Sequence, residues 1–341
     1  MNRVGYGLAA FFLVLNAYPG GKYHLIFPAY CRASFEAVGS LWIVFNRAAM
    51  ACIWYGVQAW IGGECMYTLL RAIWPSTVNV ANGIPSSGTD TMHFVSFFLF
   101  WFLSLIPIWF PLHQVRCVPP CPWKRLTFIG RHLTPRPPIP RGRRCPLQIK
   151  VLFDIKAVVA SIGGIALFSW SIARAGGIQP IINQPATVSG SELGWTFVVQ
   201  LMSCETSHTL CEPCLTLLAG ISNMATLIVN ALDFASRAHK PSNTVLPQAI
   251  ALPVSFAVTS FFGILISGSS YAITGGTFIW SPLDLMDYFL DLDPQSSRVR
   301  AGVAIISICF LIAQLGTNIA ANSVSAGESS WTLVDGCEVG G

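Results

Sequence analysis

Charge is what this sequence has least of. Only 10% of its 341 residues are Asp, Glu, Lys or Arg, and 53% are hydrophobic, whereas a soluble domain carries roughly 25% charged residues. Mean hydropathy is +0.58. That much apolar surface needs lipid rather than water, which excludes an ordinary soluble domain. Catalytic motifs are missing too. There is no P-loop, no glycine-rich dinucleotide fingerprint after a strand, and no Ser–His–Asp spacing. The six His are scattered. A membrane-embedded enzyme therefore has no catalytic constellation behind it, and the sequence reads as a non-enzyme without a cofactor. The first apolar block lacks the basic run and cleavage site of a secretory signal. The eleven cysteines do not form a disulfide framework, since Cys52 and Cys309 lie inside apolar runs, where Cys acts as a small hydrophobe. Cys211 and Cys214 have CxxC spacing but lack the defined second pair of ligands that structural zinc needs. The net charge of +5 does not imply nucleic acid, because the basic residues cluster between the apolar blocks.

Those blocks carry the organisation. A membrane-spanning helix needs about 20 mostly apolar residues. Seven stretches qualify, at 4–19, 41–73, 93–112, 154–174, 195–230, 245–272 and 301–323. Lys and Arg mark the cytoplasmic loops. Segment 20–40 has Lys22 and Arg32, segment 116–150 has nine basic and no acidic residues, and segment 235–244 has Arg237 and Lys240. The alternate loops 75–92 and 175–194 contain no Lys or Arg, and loop 273–300 has four Asp against two Arg. The alternation predicts that Met1 lies outside and the C-terminus inside. Segment 117–150 has no helical period and is dense in Pro, which blocks regular structure. It reads as a disordered cytoplasmic loop, with lipid binding as the functional alternative.

Three clusters of polar residues stand at membrane depth. Trp54 and Gln58 are four apart and share a helix face, which Arg47, Ala51, Gly62 and Cys65 extend. An amide beside a flat aromatic suits the edge and face of a heterocycle. Gln314, Asn318 and Asn322 recur every four residues, with Gly316 and Thr317 beside them. Amides are costly against lipid and must face protein or a water-filled cavity. Asn223, Thr226 and Asn230 form the third cluster, and Asp233 is placed to pair with Arg237 one turn on. The competing reading of each cluster is interhelical hydrogen bonding, which also uses small and polar residues.

The segments that contain these residues resemble a known family. NRAAMACIWYGVQAWIGGE, RAGGIQPIINQPAT, ATLIVNALDF, IWSPLDL and AQLGTNIAANSVSAG are similar to the nucleobase–cation symporter family one, in its fungal uracil, uridine and allantoin permease branch. The resemblance covers most of 5–327. It implies an all-α polytopic membrane protein with a partial LeuT-type fold of two inverted five-helix repeats, the seven stretches matching family helices two to eight. It implies substrate contacts at Trp54, Gln58, Asn318 and Asn322, with Asn223 and Met224 bordering them. It implies a helix-eight contribution to a cation site at Ala313, Gly316 and Thr317. Sodium-coupled bacterial members carry serine at the Gly316 position, so the coupling ion expected here is the proton. The expected function is proton-coupled symport of uracil, uridine, allantoin or a related compound across the plasma membrane, with the lipid bilayer and the small solute as partners. Three segments depart from the family pattern within the single domain 1–341: 117–151 and 205–220 read as insertions, and 328–341 as a divergent tail. Family helix one and helices nine to twelve have no counterpart, and the alternative expectation is an inactive truncated permease fragment.

Overall fold

A computed structural model describes residues 2–84, 88–109, 149–182, 224, 226–236, 238, 240–327 and 329. Among these residues every regular element is helical. They are α1 (Asn2–Tyr23), α2 (Phe27–Ile73), α3 (Thr91–Trp109), α4 (Ile149–Arg174), the short α5 (Gln179–Ile182), α6 (Thr226–Ala235), α7 (Ser242–Thr274), α8 (Pro282–Leu292) and α9 (Ser297–Asn318). A 3-10 turn (Pro75–Asn79) follows α2, and a π-turn (Ile319–Ser323) continues α9. Among the described residues four stretches are long and apolar enough to cross a membrane: Thr91–Ile108, Leu152–Arg174, Thr244–Thr274 and Ser297–Gly327. The expected insertion at 205–220, all but the last three residues of that at 117–151, Asn223, Arg237, Cys211 and Cys214, and nearly all of the tail fall outside the described residues.

Helix α9 is the central element, packed against α2 on one side and α4 on the other, while α1 pairs with α7 and α3 lies along α2. The α2–α3 contact depends on two glycines. A Cβ on Gly62 would stand 2.3 Å from the Phe100 ring, and one on Gly63 would stand 2.7 Å from the Phe97 Cα. Small residues give helices this approach where no hydrophobic effect drives them together. The outward face of α7 is the complement. Leu246, Ile250, Val254, Val258, Phe261 and Ile264 are exposed, at three- and four-residue steps that make one apolar stripe. Such a stripe suits lipid.

One expected boundary is wrong. Segment 20–40 was expected to be a loop, but only 24–26 is non-helical and α2 starts at Phe27. Pro28 suits a helix start, and the Phe27 N–H is capped by the Asp233 carboxylate at 2.7 Å. A residue more than two hundred positions away thus supplies the cap that local sequence lacks. The helix is interrupted at Glu36, which stands at φ 58° and ψ −173°.

One end gathers the polar loops that follow α2 and α7. Ser281 caps α8, accepting from Leu283 N at 3.2 Å and Asp284 N at 3.3 Å. Arg300 caps α2 from across the bundle, donating to Ala72 O at 2.9 Å and Ile73 O at 2.6 Å. Helix C-termini leave such carbonyls without internal partners, and hydrogen bonds from a charged donor are worth about 1.5–3 kcal/mol. Arg300→Ala is therefore expected to lower the melting temperature of the purified chain in detergent. Arg300→Lys should recover only part of the loss, since an ammonium does not span both carbonyls. A melting curve unchanged by Arg300→Ala would contradict this.

Candidate functional site

The three amides of α9 and its π-turn do not project separately. Gln314 Nε2 donates to the Gln58 side-chain carbonyl and, at 3.1 Å, to the Gln58 backbone carbonyl. Asn318 Nδ2 donates to Tyr55 O at 3.2 Å, and Asn322 Nδ2 donates to Asn318 Oδ1 at 2.9 Å. Asn318 and Asn322 are fully buried. One continuous polar seam therefore joins α9 to the middle of α2, as the four-residue spacing of both stripes requires. Part of it is interhelical bonding, the competing reading of these residues. Three polar atoms of the seam have no partner among the described residues, the Gln58 Nε2 donor and the Gln314 Oε1 and Asn322 Oδ1 acceptors. The π-turn matters here. Widening the helix by one residue releases carbonyls from the regular ladder, and such turns recur at functional sites.

Trp54 lies half-buried on α2, one turn before Gln58. Met224 is buried elsewhere, against Ala9 and beside Leu227, Ile228, Leu252 and Phe256, so the structure does not join it to the seam.

The candidate cation position is covered. Gly316 is buried under the alkyl chain of Lys156 from α4. A Cβ added there would stand 2.8 Å from Lys156 Cδ and 3.2 Å from its Cβ. Thr317 donates its hydroxyl to Ala313 O at 2.8 Å. Gly316 brings no hydroxyl and the lysine chain occupies the space beside it. The sequence signal for Lys156 was a lysine inside an apolar block, in FDIKAVV.

The second feature missed from sequence is an ion pair. Asp233 pairs with Arg47 on α2, whereas Arg237, its expected partner, lies outside the described residues. Arg47 Nε also donates to Asn230 Oδ1 at 3.1 Å, and its guanidinium lies 4.7 Å from the centroid of the Phe27 ring. With the Phe27 N–H on its other oxygen, Asp233 is occupied on both sides. Arg47 was visible as a polar member of the Trp54–Gln58 face, but its partner depends on how α6 docks.

At the end of the bundle that gathers the polar loops, Glu64 meets His93 at 3.3 Å, and the His93 ring stacks on Tyr67 with centroids 3.9 Å apart. Trp60, Glu64, Asn82, Asp90 and His93 line an open cleft of about 480 Å³. Arg71 pairs with Asp287 at 3.5 Å and with Asp291. Burial pushes the Asp287 carboxyl up to about 6, with Arg71 and then Thr68 opposing the rise. A carboxyl whose folded value exceeds its unfolded 3.8 binds protons better folded. Its ionisation therefore removes stability as pH rises from about 4 through 6, by on the order of 2–3 kcal/mol. Asp287→Asn is expected to flatten that part of the stability–pH curve, read by thermal unfolding between pH 4 and 7. An unaltered curve would show that Arg71 neutralises Asp287 completely.

A family profile described as "Permease for cytosine/purines, uracil, thiamine, allantoin" matches residues 3–119 and 144–334. The chain belongs to that permease family. It is an all-helical membrane protein of a transporter family whose curated members are permeases rather than enzymes. A permease of Schizosaccharomyces pombe is 38% identical over 97% of this chain and 47% of its own length. The allantoin permease of Saccharomyces cerevisiae is 33% identical over 97% of this chain and 44% of its own length. The uracil permease of the same yeast is 32% identical over 95% and 43%. The chain spans less than half the length of these curated relatives. No solved structure matches.

Proposed function

We propose that this permease-family chain carries a nucleobase or related solute such as uracil, uridine or allantoin, and that a proton is the coupling ion. The observation that supports the reading is the amide seam, which leaves the Gln58 Nε2 donor and the Gln314 Oε1 and Asn322 Oδ1 acceptors without a partner among the described residues, with the half-buried Trp54 one turn from Gln58. A ureide or pyrimidine edge offers the carbonyl and N–H groups that complement an amide donor and an amide acceptor. Trp54 is then the stacking face, and Asn318 holds Asn322 in place. By family resemblance Asn223 borders the site from family helix six, while Met224 packs away from the seam against Ala9. Lys156 over Gly316 supports the choice of ion. The lysine chain covers Gly316 while its ammonium lies 5.9 Å from the centroid of the Phe153 ring, and an amine can take up and release a proton. The plasma membrane is the compartment this reading requires.

The test is uptake of labelled uracil, uridine and allantoin by a yeast host that lacks its own permeases. Saturable uptake of one solute, stimulated by acid and indifferent to sodium, is expected. Gln58→Ala and Asn322→Ala should each reduce it at least tenfold at unchanged membrane abundance. Full uptake by both variants would remove the seam from the site, and sodium-dependent uptake would overturn the ion assignment.

A further inference from the structure

Arg47 and Asp233 are an ion pair buried at the contact of α2 and α6, with side chains only 6% and 3% exposed. A buried pair is weak support for a stability role, because desolvation opposes the attraction, and such pairs are better attested as devices that fix register. The surroundings show what register this pair fixes. Arg47 uses one edge on Asp233 and its Nε on Asn230 Oδ1. Asn230 then donates Nδ2 to Ala321 O at 2.9 Å. That carbonyl belongs to the π-turn and immediately precedes Asn322. Ser325 Oγ donates to the same carbonyl at 3.0 Å. A chain of polar contacts thus runs from the end of α6, through the guanidinium on α2, to the backbone that presents Asn322. Arg47 Nη1 is buried without a hydrogen-bond partner, so this guanidinium is held at that depth by its two partners and the Phe27 ring.

From this the geometry points to Arg47 as a positioning residue. Through Asp233 it anchors α6 to α2, and through Asn230 it sets the π-turn that presents Asn322 to the solute. The last step rests on the solute reading proposed above. The two contacts need a planar fork. A lysine has a single ammonium on a flexible stem and holds the carboxylate but not the amide as well.

The structure supplies its own reporter. Cys31 is 4% exposed and packs with Phe27 and Leu232, directly beside the pair. The chain has eleven cysteines, so the reporter chain keeps Cys31 and has the other ten replaced by serine. A second reporter chain lacks all eleven and carries Val324→Cys, at a position 6% exposed just after the π-turn. Both are purified in detergent and labelled with a small maleimide.

In the first chain, Arg47→Ala and Asp233→Ala should each label Cys31 at least tenfold faster. Arg47→Lys and Asn230→Ala should stay within about threefold of the parent. In the second chain, Arg47→Lys and Asn230→Ala should both speed labelling at least tenfold. This split separates positioning from general loosening, which would move both reporters together. Solute affinity, read as thermal stabilisation by uracil or allantoin, should fall at least tenfold in Asn230→Ala, with the maximal stabilisation retained. A Cys31 still protected in Arg47→Ala would overturn the anchor. A Val324→Cys still protected in Asn230→Ala would overturn the link to the π-turn, and reporters that always move together would reduce the pair to a packing element. A parent stabilised by neither solute counts against the solute reading alone, while the two reporters still decide what Arg47 holds.

Discussion

Arg47→Ala is expected to destabilise the purified chain by about 3–5 kcal/mol, because it strands a carboxylate in a buried contact. The measurement is unfolding in detergent followed by helix content, with Asp233→Ala beside it. Asp233→Ala should cost a similar amount, since it strands the guanidinium and also uncaps the Phe27 N–H, which now receives a bond at 2.7 Å. The instructive variant is the double replacement Arg47→Met with Asp233→Leu. It removes both charges and keeps most of the volume, so it should lose less than either single change. A remaining deficit of about 1–3 kcal/mol is expected from the orphaned Phe27 N–H. If the double variant were as unstable as the sum of the singles, the contact would depend on its charges for cohesion and not only for register. Stability recovered without protection of the Val324→Cys reporter is the pattern that separates holding the fold together from placing Asn322.

Period and polarity were enough to find the seam. Amides at 314, 318 and 322 and the Trp54–Gln58 pair lie on single helix faces by spacing alone, and two such stripes in an apolar chain have few partners but each other. The helix boundaries were legible for the same reason wherever apolar runs end in polar loops. The block 154–174 became α4 at Ile149–Arg174, and 245–272 became α7 at Ser242–Thr274. Sequence was silent where a partner comes from far along the chain. Asp233 had a local candidate in Arg237 one turn away, yet it pairs with a residue 186 positions distant. Only the docking of α6 on α2 decides that, and no periodicity encodes it. The same docking supplies the cap that starts α2 inside what reads as a basic loop. The π-turn was equally hidden, because nothing in IAANS marks a widened helix. Gly316 was singled out as a place where a ligand or ion approaches closely. It is such a place, but the approaching group is the methylene chain of Lys156.

Gly316→Ser brings that last contact to a decision. The family resemblance implies serine at this position in sodium-coupled members, so the change is the obvious one for building a sodium site. Here it meets a wall. Its Cβ would stand 2.8 Å from Lys156 Cδ, 3.2 Å from Cβ and 3.3 Å from Cγ, whereas carbon atoms rest at about 3.5–4.0 Å. Rotating the end of the lysine relieves Cδ and Cγ but not Cβ, which is fixed to the α4 backbone. Helices α4 and α9 must therefore separate slightly, and overpacking of this kind costs about 1–3 kcal/mol. Gly316→Ser alone is expected to lower the melting temperature of the purified chain and to reduce uptake at least tenfold. Adding Lys156→Ala removes the obstructing chain and its ammonium together. The double variant should regain the stability of the parent, lose the stimulation of uptake by acid, and gain stabilisation by sodium over potassium at equal ionic strength. The stability arm is read on the purified chain and needs no transport. Gly316→Ser as stable as the parent would mean that the lysine does not pack on the glycine. A double variant that is stable but blind to sodium would show that removing Lys156 does not complete a cation site.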